Sequence, residues 1–251
     1  MKGGIYAVEK PRAINPNERF GTELAGKKLD TIRKSMPHYD QMQALIGSTL
    51  SQEAAKSIQE NILVLEIGTG TGFTAREIVS ADKRISLVSV DNEGQMIAEA
   101  KENLQEDFEA GRIQFEKADA LSFLQNVPDE HFDSIASGFA IHNFEKTYRE
   151  KVLQEVYRVL KTDGVFVNAD KLLPDNPEEF QQEYAWQMEM FQNAQVDEVT
   201  RKAWLDHYEF DNRPDIAIGE SEMVNILEKA GFKEVEISNC HHLEVLLVAK
   251  K

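Results

Sequence analysis

An α/β fold on a mainly parallel sheet, with its last strand antiparallel, is what three features of the chain predict. The first is the run Ile62-Leu63-Val64-Leu65-Glu66-Ile67, apolar except for Glu66, which suits a strand covered by helices on both faces. The second is alternation: from there to Ala169, strand-length apolar runs take turns with helical patterns, the rhythm of β-α-β units. The third lies at the end of the chain. Strand-like runs at 233–238 and 243–249 are separated by only four residues, and so short a connection permits only an antiparallel pair.

Taken in order, residues 1–20 carry Gly3, Gly4, Pro11 and Pro16 and read as irregular, and a helical pattern over Leu24, Leu29, Ile32 and Met36 follows from Thr22 to Pro37. A second helix is expected over 39–59, with Met42, Leu45, Ile46, Leu50, Ala54 and Ile58 on one side. Strands are expected at 62–67, 84–90, 112–116, 131–137 and 165–169, seven with the closing pair. Helices are expected over 93–108, around 121–124 and over 148–160, the last stopped by Gly164 as a C-terminal cap. The alternation breaks over 172–218, where helical patterns at 178–194 and 197–210 carry Trp186, Met188, Met190, Phe191, Trp204 and Tyr208. A helix at 221–230, ended by Gly231, resumes it.

The 251 residues fit one large domain, and 41% apolar with 29% charged residues is an ordinary globular balance. A net charge of −16 without a basic run argues against a nucleic-acid partner. No eighteen apolar residues run together, so no membrane span is expected. The first twenty residues lack the apolar core of a secretory signal, and the lone Cys240 has no partner within the chain. A cytoplasmic protein is the expectation. Oligomeric state stays open, with a homodimer among the options.

The chemistry concentrates after the first strand. Gly68, Gly70 and Gly72 alternate through the loop, where glycine lets a backbone turn sharply and approach a ligand closely. The helix that follows aims its N-terminal N–H groups at the same space. A nucleotide-type ligand is implied. A dinucleotide fingerprint, G-x-G-x-x-G, would need glycine where Phe73 stands. Asp91 ends the second strand about twenty residues on, where a carboxylate can accept bonds from both ribose hydroxyls. Asp119 follows the third strand, where an N-cap is the competing role.

The pattern E-x-G-x-G-x-G from Glu66 to Gly72, with Asp91 and Asp119 in place, resembles class I S-adenosylmethionine-dependent methyltransferases over about residues 39–251. The resemblance implies a Rossmann-like seven-stranded sheet, S-adenosyl-L-methionine as cofactor and S-adenosyl-L-homocysteine as product. It implies that Glu66 engages the methionine amino group, that Asp119 bonds the adenine amino group, and that Ser137, Gly138 and Phe139 line the methionine portion and methyl. Thr69, Asn92, Met96 and Ala120 join the same cofactor wall. Residues 1–60 then form a helical lid belonging to the domain, 61–251 the methyltransferase domain, and 172–218 a helical cap.

A narrower resemblance links Ser35-Met36-Pro37-His38-Tyr39 and Leu45-Ile46-Gly47 to the carboxy-S-adenosylmethionine synthase branch, and implies that Tyr39 touches the cofactor. Asp91-Asn92 and the ending from Cys240-His241-His242 align loosely with it. That branch carries an asparagine where this chain has Gly138, and its carboxylate-binding arginine falls at Ala203, with Arg201 nearby. Methyl transfer to a small-molecule acceptor is therefore the expected activity. A synthase-like enzyme consuming prephenate and a non-catalytic cofactor-binding module are the alternatives.

Methyl transfer needs a base only if the acceptor must lose a proton. His142, just after the fourth strand, is the candidate base, with bonding to a neighbouring backbone group as its plainer role; Asp170, at the tip of the fifth strand, is the second candidate. The aromatic cap packs on itself or lines an acceptor pocket through Trp186, Met190 and Trp204. Adjacent His241 and His242 would point to opposite faces of a strand, and no metal-binding motif accompanies them. No metal is expected.

Overall fold

The computed structural model describes residues 33–251. The irregular segment expected at 1–20 and most of the helix expected from Thr22 lie outside the described residues. The chain then runs α1 (Tyr39–Lys56), β1 (Ile62–Ile67), α2 (Phe73–Ala81), β2 (Ile85–Asp91), α3 (Gly94–Asn103), α4 (Gln105–Glu109), β3 (Ile113–Lys117), α5 (Ala120–Gln125), β4 (Phe132–Gly138), a 3-10 turn (Ile141–Asn143) and α6 (Lys146–Val159). It continues through β5 (Leu160–Lys171), α7 (Pro177–Asn193), α8 (Glu198–Asp211), α9 (Glu220–Ala230), β6 (Lys233–His241) and β7 (Glu244–Lys250).

The seven strands make one Rossmann-like sheet in the order β3-β2-β1-β4-β5-β7-β6. Strands β1 to β5 pair in parallel, and β7 is antiparallel to both β5 and β6. The order reverses between β1 and β4, so the connections leaving these two strands diverge and open a crevice at their C-terminal ends.

Strand β1 shows why this sequence makes a central strand. Leu65 and Ile67 join the core on one side of the sheet, with α6 and α9, while Ile62 and Val64 join the core on the other, with α1, α2 and α3. That is the period of two with both faces covered. Helix α1 lies on the second side, burying Met42, Ile46, Leu50 and Ala54 at every fourth position. A third, smaller cluster of Phe191, Trp204, Tyr208 and Leu243 holds α7 and α8 together. Leu173 and Gly219 form a parallel bridge, which ties the two ends of this insertion at its base. Among the described residues, no helix is long and apolar enough to cross a membrane.

Several boundaries differ from expectation. Helix α1 stops at Lys56, so Ile58, expected on its apolar side, lies beyond it and is fully exposed. The helix expected over 93–108 breaks at Leu104, whose backbone leaves the helical region (φ −125°, ψ 32°) while its side chain is buried in the core. Gly164 does not cap α6. The chain passes straight from Val159 into extended Leu160, because Leu160 pairs with Phe132 and is fully buried. The positive φ in that corner falls on Asp163 instead. The closing hairpin is tighter than the expected turn at 239–242: β6 extends to His241, and His242, at φ 57°, begins the turn into β7.

Candidate functional site

A cavity of about 510 Å³ occupies the crevice at the C-terminal ends of β1, β2, β3 and β4, a size typical of small-molecule sites. Of the residues singled out from the sequence, Tyr39, Gly68, Thr69, Gly70, Asp91, Asn92, Met96, Asp119, Ala120, Gly138, Phe139 and His142 line it. Glu66, Gly72, Ser137 and Asp170 do not. Gly72 is the N-cap of α2 and packs toward Leu104 and Ala100, and Ser137 is buried and donates to the Ile67 carbonyl at 3.0 Å.

The floor of the cavity is the glycine loop. Gly68 has φ +87°, and a Cβ there would lie 2.4 Å from the Ala140 Cβ, so both the turn and the approach of the β4 connection require glycine. Asp91 holds the loop by accepting from the Gly70 N–H at 2.8 Å and the Glu93 N–H at 2.9 Å. Burial raises its carboxyl above the usual value, and those two amides counter part of the effect. Behind the loop sits Glu66, fully buried. Ser89 donates to its Oε2 and bonds Thr69 Oγ1 at 2.6 Å, while Oε1 has no hydrogen-bond partner. Burial drives the Glu66 carboxyl up to about 8, against the Ser89 bond and aided by the Asp91 charge.

The β3 side is set by Asp119, which caps α5 by accepting from the Ser122 N–H at 2.9 Å and accepts from the Tyr148 hydroxyl at 2.7 Å. Burial works to raise this carboxyl, but the Ser122 and Tyr148 bonds outweigh it and hold it below the ordinary value. The capping role foreseen for Asp119 is present, and the residue also faces the cavity. Over the glycine loop, Tyr39 stacks on Phe139 with centroids 4.9 Å apart and meets Phe73 edge-on. Burial pushes the Tyr39 hydroxyl up to about 12. Phe139 itself sits at φ 55°, a conformation few bulky residues adopt. Beside it, a Cβ on Gly138 would lie 2.3 Å from Thr74 Oγ1 and 2.9 Å from Gln43 Nε2. Gln43 and Thr74, bonded to each other at 2.7 Å, fill the space that a side chain at position 138 would need.

The turn after β4 and the end of β5 carry a buried pair of titratable groups. His142 is 6% exposed and Asp170 fully buried. Asp170 accepts from the His142 N–H at 3.0 Å, Asn168 Nδ2 at 3.1 Å and the Lys171 N–H at 3.0 Å. Its fourth neighbour is His142 Nδ1, at 2.5 Å. A carboxylate surrounded by donors assigns the proton of the imidazole to Nδ1 and leaves Nε2 as the acceptor nitrogen. Arg149, fully buried, donates to the carbonyls of Ile141, His142, Phe144 and Ile216, and so holds the turn that carries His142. Burial lowers its guanidinium below its ordinary value.

The cap adds two groups. His207 reaches the main cavity, its Nε2 lies 3.4 Å from Asp211 Oδ2, and His142 Nε2 lies 4.0 Å from the same oxygen. Lys171 Nζ approaches Asp211 Oδ2 at 3.3 Å. Among the described residues, His142, His207 and Asp211 are the one cluster whose donor atoms converge as metal ligands do, all within 4.8 Å. The pair inspected in the sequence does otherwise: His241 bonds Gln41 and stacks on His38, and His242 bonds Glu183 and stacks on Trp186. Trp186, Met190 and Trp204 do not line the main cavity; Trp186 and Trp204 line a smaller one behind His142. Arg201 caps the end of α7 through the carbonyls of Phe191, Gln192 and Ala194.

Arg149, His207 and Asp211 were not singled out from the sequence. For Arg149 a signal existed: with Val152, Leu153 and Val156 it falls on the inner face of α6. His207 and Asp211, one turn apart on α8, gave no sign of which element they face.

Comparison with known proteins matches residues 64–164 to a family model described as a methyltransferase domain. A ubiquinone/menaquinone biosynthesis C-methyltransferase of Ectopseudomonas mendocina is 33% identical over 181 residues, covering 67% of this chain and 69% of that protein. A carboxy-S-adenosyl-L-methionine synthase of Nautilia profundicola is 23% identical over 90% of this chain and 91% of its own length. Among solved structures, Haemonchus contortus phosphoethanolamine N-methyltransferase 2 in complex with S-adenosyl-L-methionine matches 90% of this chain and 46% of that one, with a TM-score of 0.61 at 15% identity.

Proposed function

The chain belongs to the class I S-adenosylmethionine-dependent methyltransferase family, and from that premise we propose that it methylates a small-molecule acceptor bound between the glycine loop and the α7–α8 cap. The observation that carries this reading is His142 on the cavity wall, its imidazole held from behind by buried Asp170 and its Nε2 left to accept a proton.

The cavity suits the family's cofactor in size and in donor set. Asp91 keeps carboxylate lone pairs for a ribose diol at the tip of β2, Asp119 and Ala120 border the adenine end, and Gly68, Thr69 and Gly70 leave room for the methionine portion. Tyr39 and Phe139 exclude water from above. The bound cofactor supplies an electrophilic methyl group on a sulfonium centre. His142 Nε2 takes the acceptor's proton, and Asp170 stabilises the imidazolium that forms. Arg149 keeps the turn in place while the charge changes.

Methyl transfer is favoured over carboxy-S-adenosylmethionine synthesis by two positions. Gln43 and Thr74 occupy the space at Gly138 where that branch carries asparagine, and Arg201 is committed to capping α7. The quinone-biosynthesis C-methyltransferase relative makes a ring carbon beside a hydroxyl group the first acceptor to try. A cytoplasmic location fits the exposed, unpaired Cys240.

The test is S-adenosylhomocysteine formation against a panel of small phenols, enols and amines, with mass spectrometry of the bound cofactor. His142→Ala is expected to lower kcat by about 10²–10⁴-fold and leave cofactor affinity unchanged. Equal turnover removes His142 from the mechanism, and a carboxylated cofactor in the purified protein overturns methyl transfer.

A further inference from the structure

Where β5 leaves the sheet and α8 descends onto it, a second cavity of about 30 Å³ opens behind His142, room for a water or a single ion. His142, Lys171, His207, Asp211 and Glu244 are among the polar residues that line it. We propose that His142, His207 and Asp211 bind one divalent first-row transition-metal ion, and that an acceptor oxygen completes its coordination from the main cavity. The inference rests on the reading of His142 as the acceptor-activating residue. With the ion bound, Nε2 is a ligand, and a coordinated acceptor hydroxyl loses its proton to water; without it, Nε2 is the base.

Four observations carry this. The three donor atoms lie within 4.8 Å of one another. The 3.4 Å contact of His207 with Asp211 Oδ2 matches the roughly 3.3–3.5 Å edge of a tetrahedron with bonds of about 2.0–2.1 Å, and the 4.0 Å contact of His142 exceeds it by about half an ångström, a gap that an ion would draw in. His207 and Asp211 stand one helical turn apart and therefore share a face of α8. Asp170 grips the other nitrogen of His142, the carboxylate–histidine arrangement that orients metal-bound imidazoles and raises their basicity. His142 and His207 also reach the main cavity, which leaves an open coordination position toward the acceptor, as catalytic metal sites have.

Lys171 is the obstacle, and its surroundings remove it. Its ammonium lies 3.3 Å from Asp211 Oδ2, where it would oppose a cation. Glu244 lines the same small cavity, is 6% exposed, and its Oε2 has no hydrogen-bond partner. A cation on Asp211 would repel the ammonium toward the buried Glu244 carboxyl, which already feels the Lys171 charge. Two imidazoles and one carboxylate suit zinc, cobalt or iron(II) better than magnesium or calcium, which prefer all-oxygen shells.

The chelator-treated full chain is titrated with Zn²⁺ against a chromophoric indicator, and with Co²⁺ while its visible absorption is recorded. One ion per chain and the intense bands of four-coordinate cobalt are expected. His207→Ala and the conservative Asp211→Asn should each weaken binding by at least about tenfold, Asp170→Asn by about tenfold, and Lys171→Met should tighten it, with circular dichroism confirming that each variant folds. Zn²⁺ affinity indifferent to His207→Ala and Asp211→Asn overturns the site, as does failure of the wild type to bind. If the chelated wild type then still turns over in a His142-dependent manner, the metal proposal alone has failed. If His142→Ala turns over as fast as wild type, the underlying reading has failed.

Discussion

The two walls of the cavity are built in opposite ways. The wall of the glycine loop is local: Gly68, Thr69 and Gly70 come from one short stretch, backed by Glu66 and Gly72 of the same stretch, and Asp91 reaches back to bond the Gly70 amide. The side that bears His142 is assembled. His142 comes from the turn after β4, Asp170 from β5, Arg149 from α6, and His207 with Asp211 from the cap. A local wall needs only backbone geometry to keep its shape. An assembled wall needs buried polar bonds between elements that share no turn, and these are costly when one partner is removed.

The sharpest way to break this contrast is Arg149→Ala. It strips donors from the carbonyls of Ile141, His142, Phe144 and Ile216, and unfolding in denaturant should show a loss of about 3–5 kcal/mol. A loss below about 1 kcal/mol, the size of an ordinary surface substitution, would mean that the His142 turn holds itself.

On the local wall the largest effect is that of Glu66, and it is one of pH. Its carboxyl stands at about 8 in the folded chain against an ordinary 4.5, so the folded state keeps a proton that the unfolded state has released. The stabilisation is full below the unfolded value and is lost as pH rises through about 8, amounting to roughly 3–5 kcal/mol in all. Melting temperatures of Glu66→Gln should accordingly vary less between about pH 5 and pH 9 than those of the wild type. Parallel curves would show that Glu66 is ionised in its pocket.

Asp91→Asn is expected to weaken S-adenosylmethionine binding by about 1–3 kcal/mol in calorimetry and to loosen the loop through the Gly70 contact. Unaltered affinity would separate the β2 tip from the ligand. The smallest effect is that of Asp119→Ala, about 1 kcal/mol from the lost cap of α5, read by thermal unfolding. A cofactor affinity that falls together with stability would sharpen the reading of Asp119 as both cap and ligand.

Legibility followed the same division. The glycine spacing, the acidic tips of β2 and β3 and the antiparallel finish each depend on a few neighbouring residues, and the fold bears them out. Glu66 was legible as a position but not as an environment, because its burial depends on α2 and β2 packing around it. The cap on α6 was misread at Gly164 because pairing of Leu160 with Phe132, remote in the chain, pulled the backbone into a strand. His142 was found by its place after β4. Asp170 was a separate candidate, and nothing local tied its carboxylate to the imidazole.

By itself the sequence determined the order of strands and helices, the turn-making glycines and the acidic residues at the strand tips, since these follow from hydrophobic period, backbone freedom and charge over short spans. Only the tertiary structure decided that a buried arginine would hold the His142 turn and that His207 and Asp211 would face His142 from the cap. Those contacts join elements brought together by crossovers and by the docking of an inserted helix pair, and helical periodicity states that a face is present without stating what it meets.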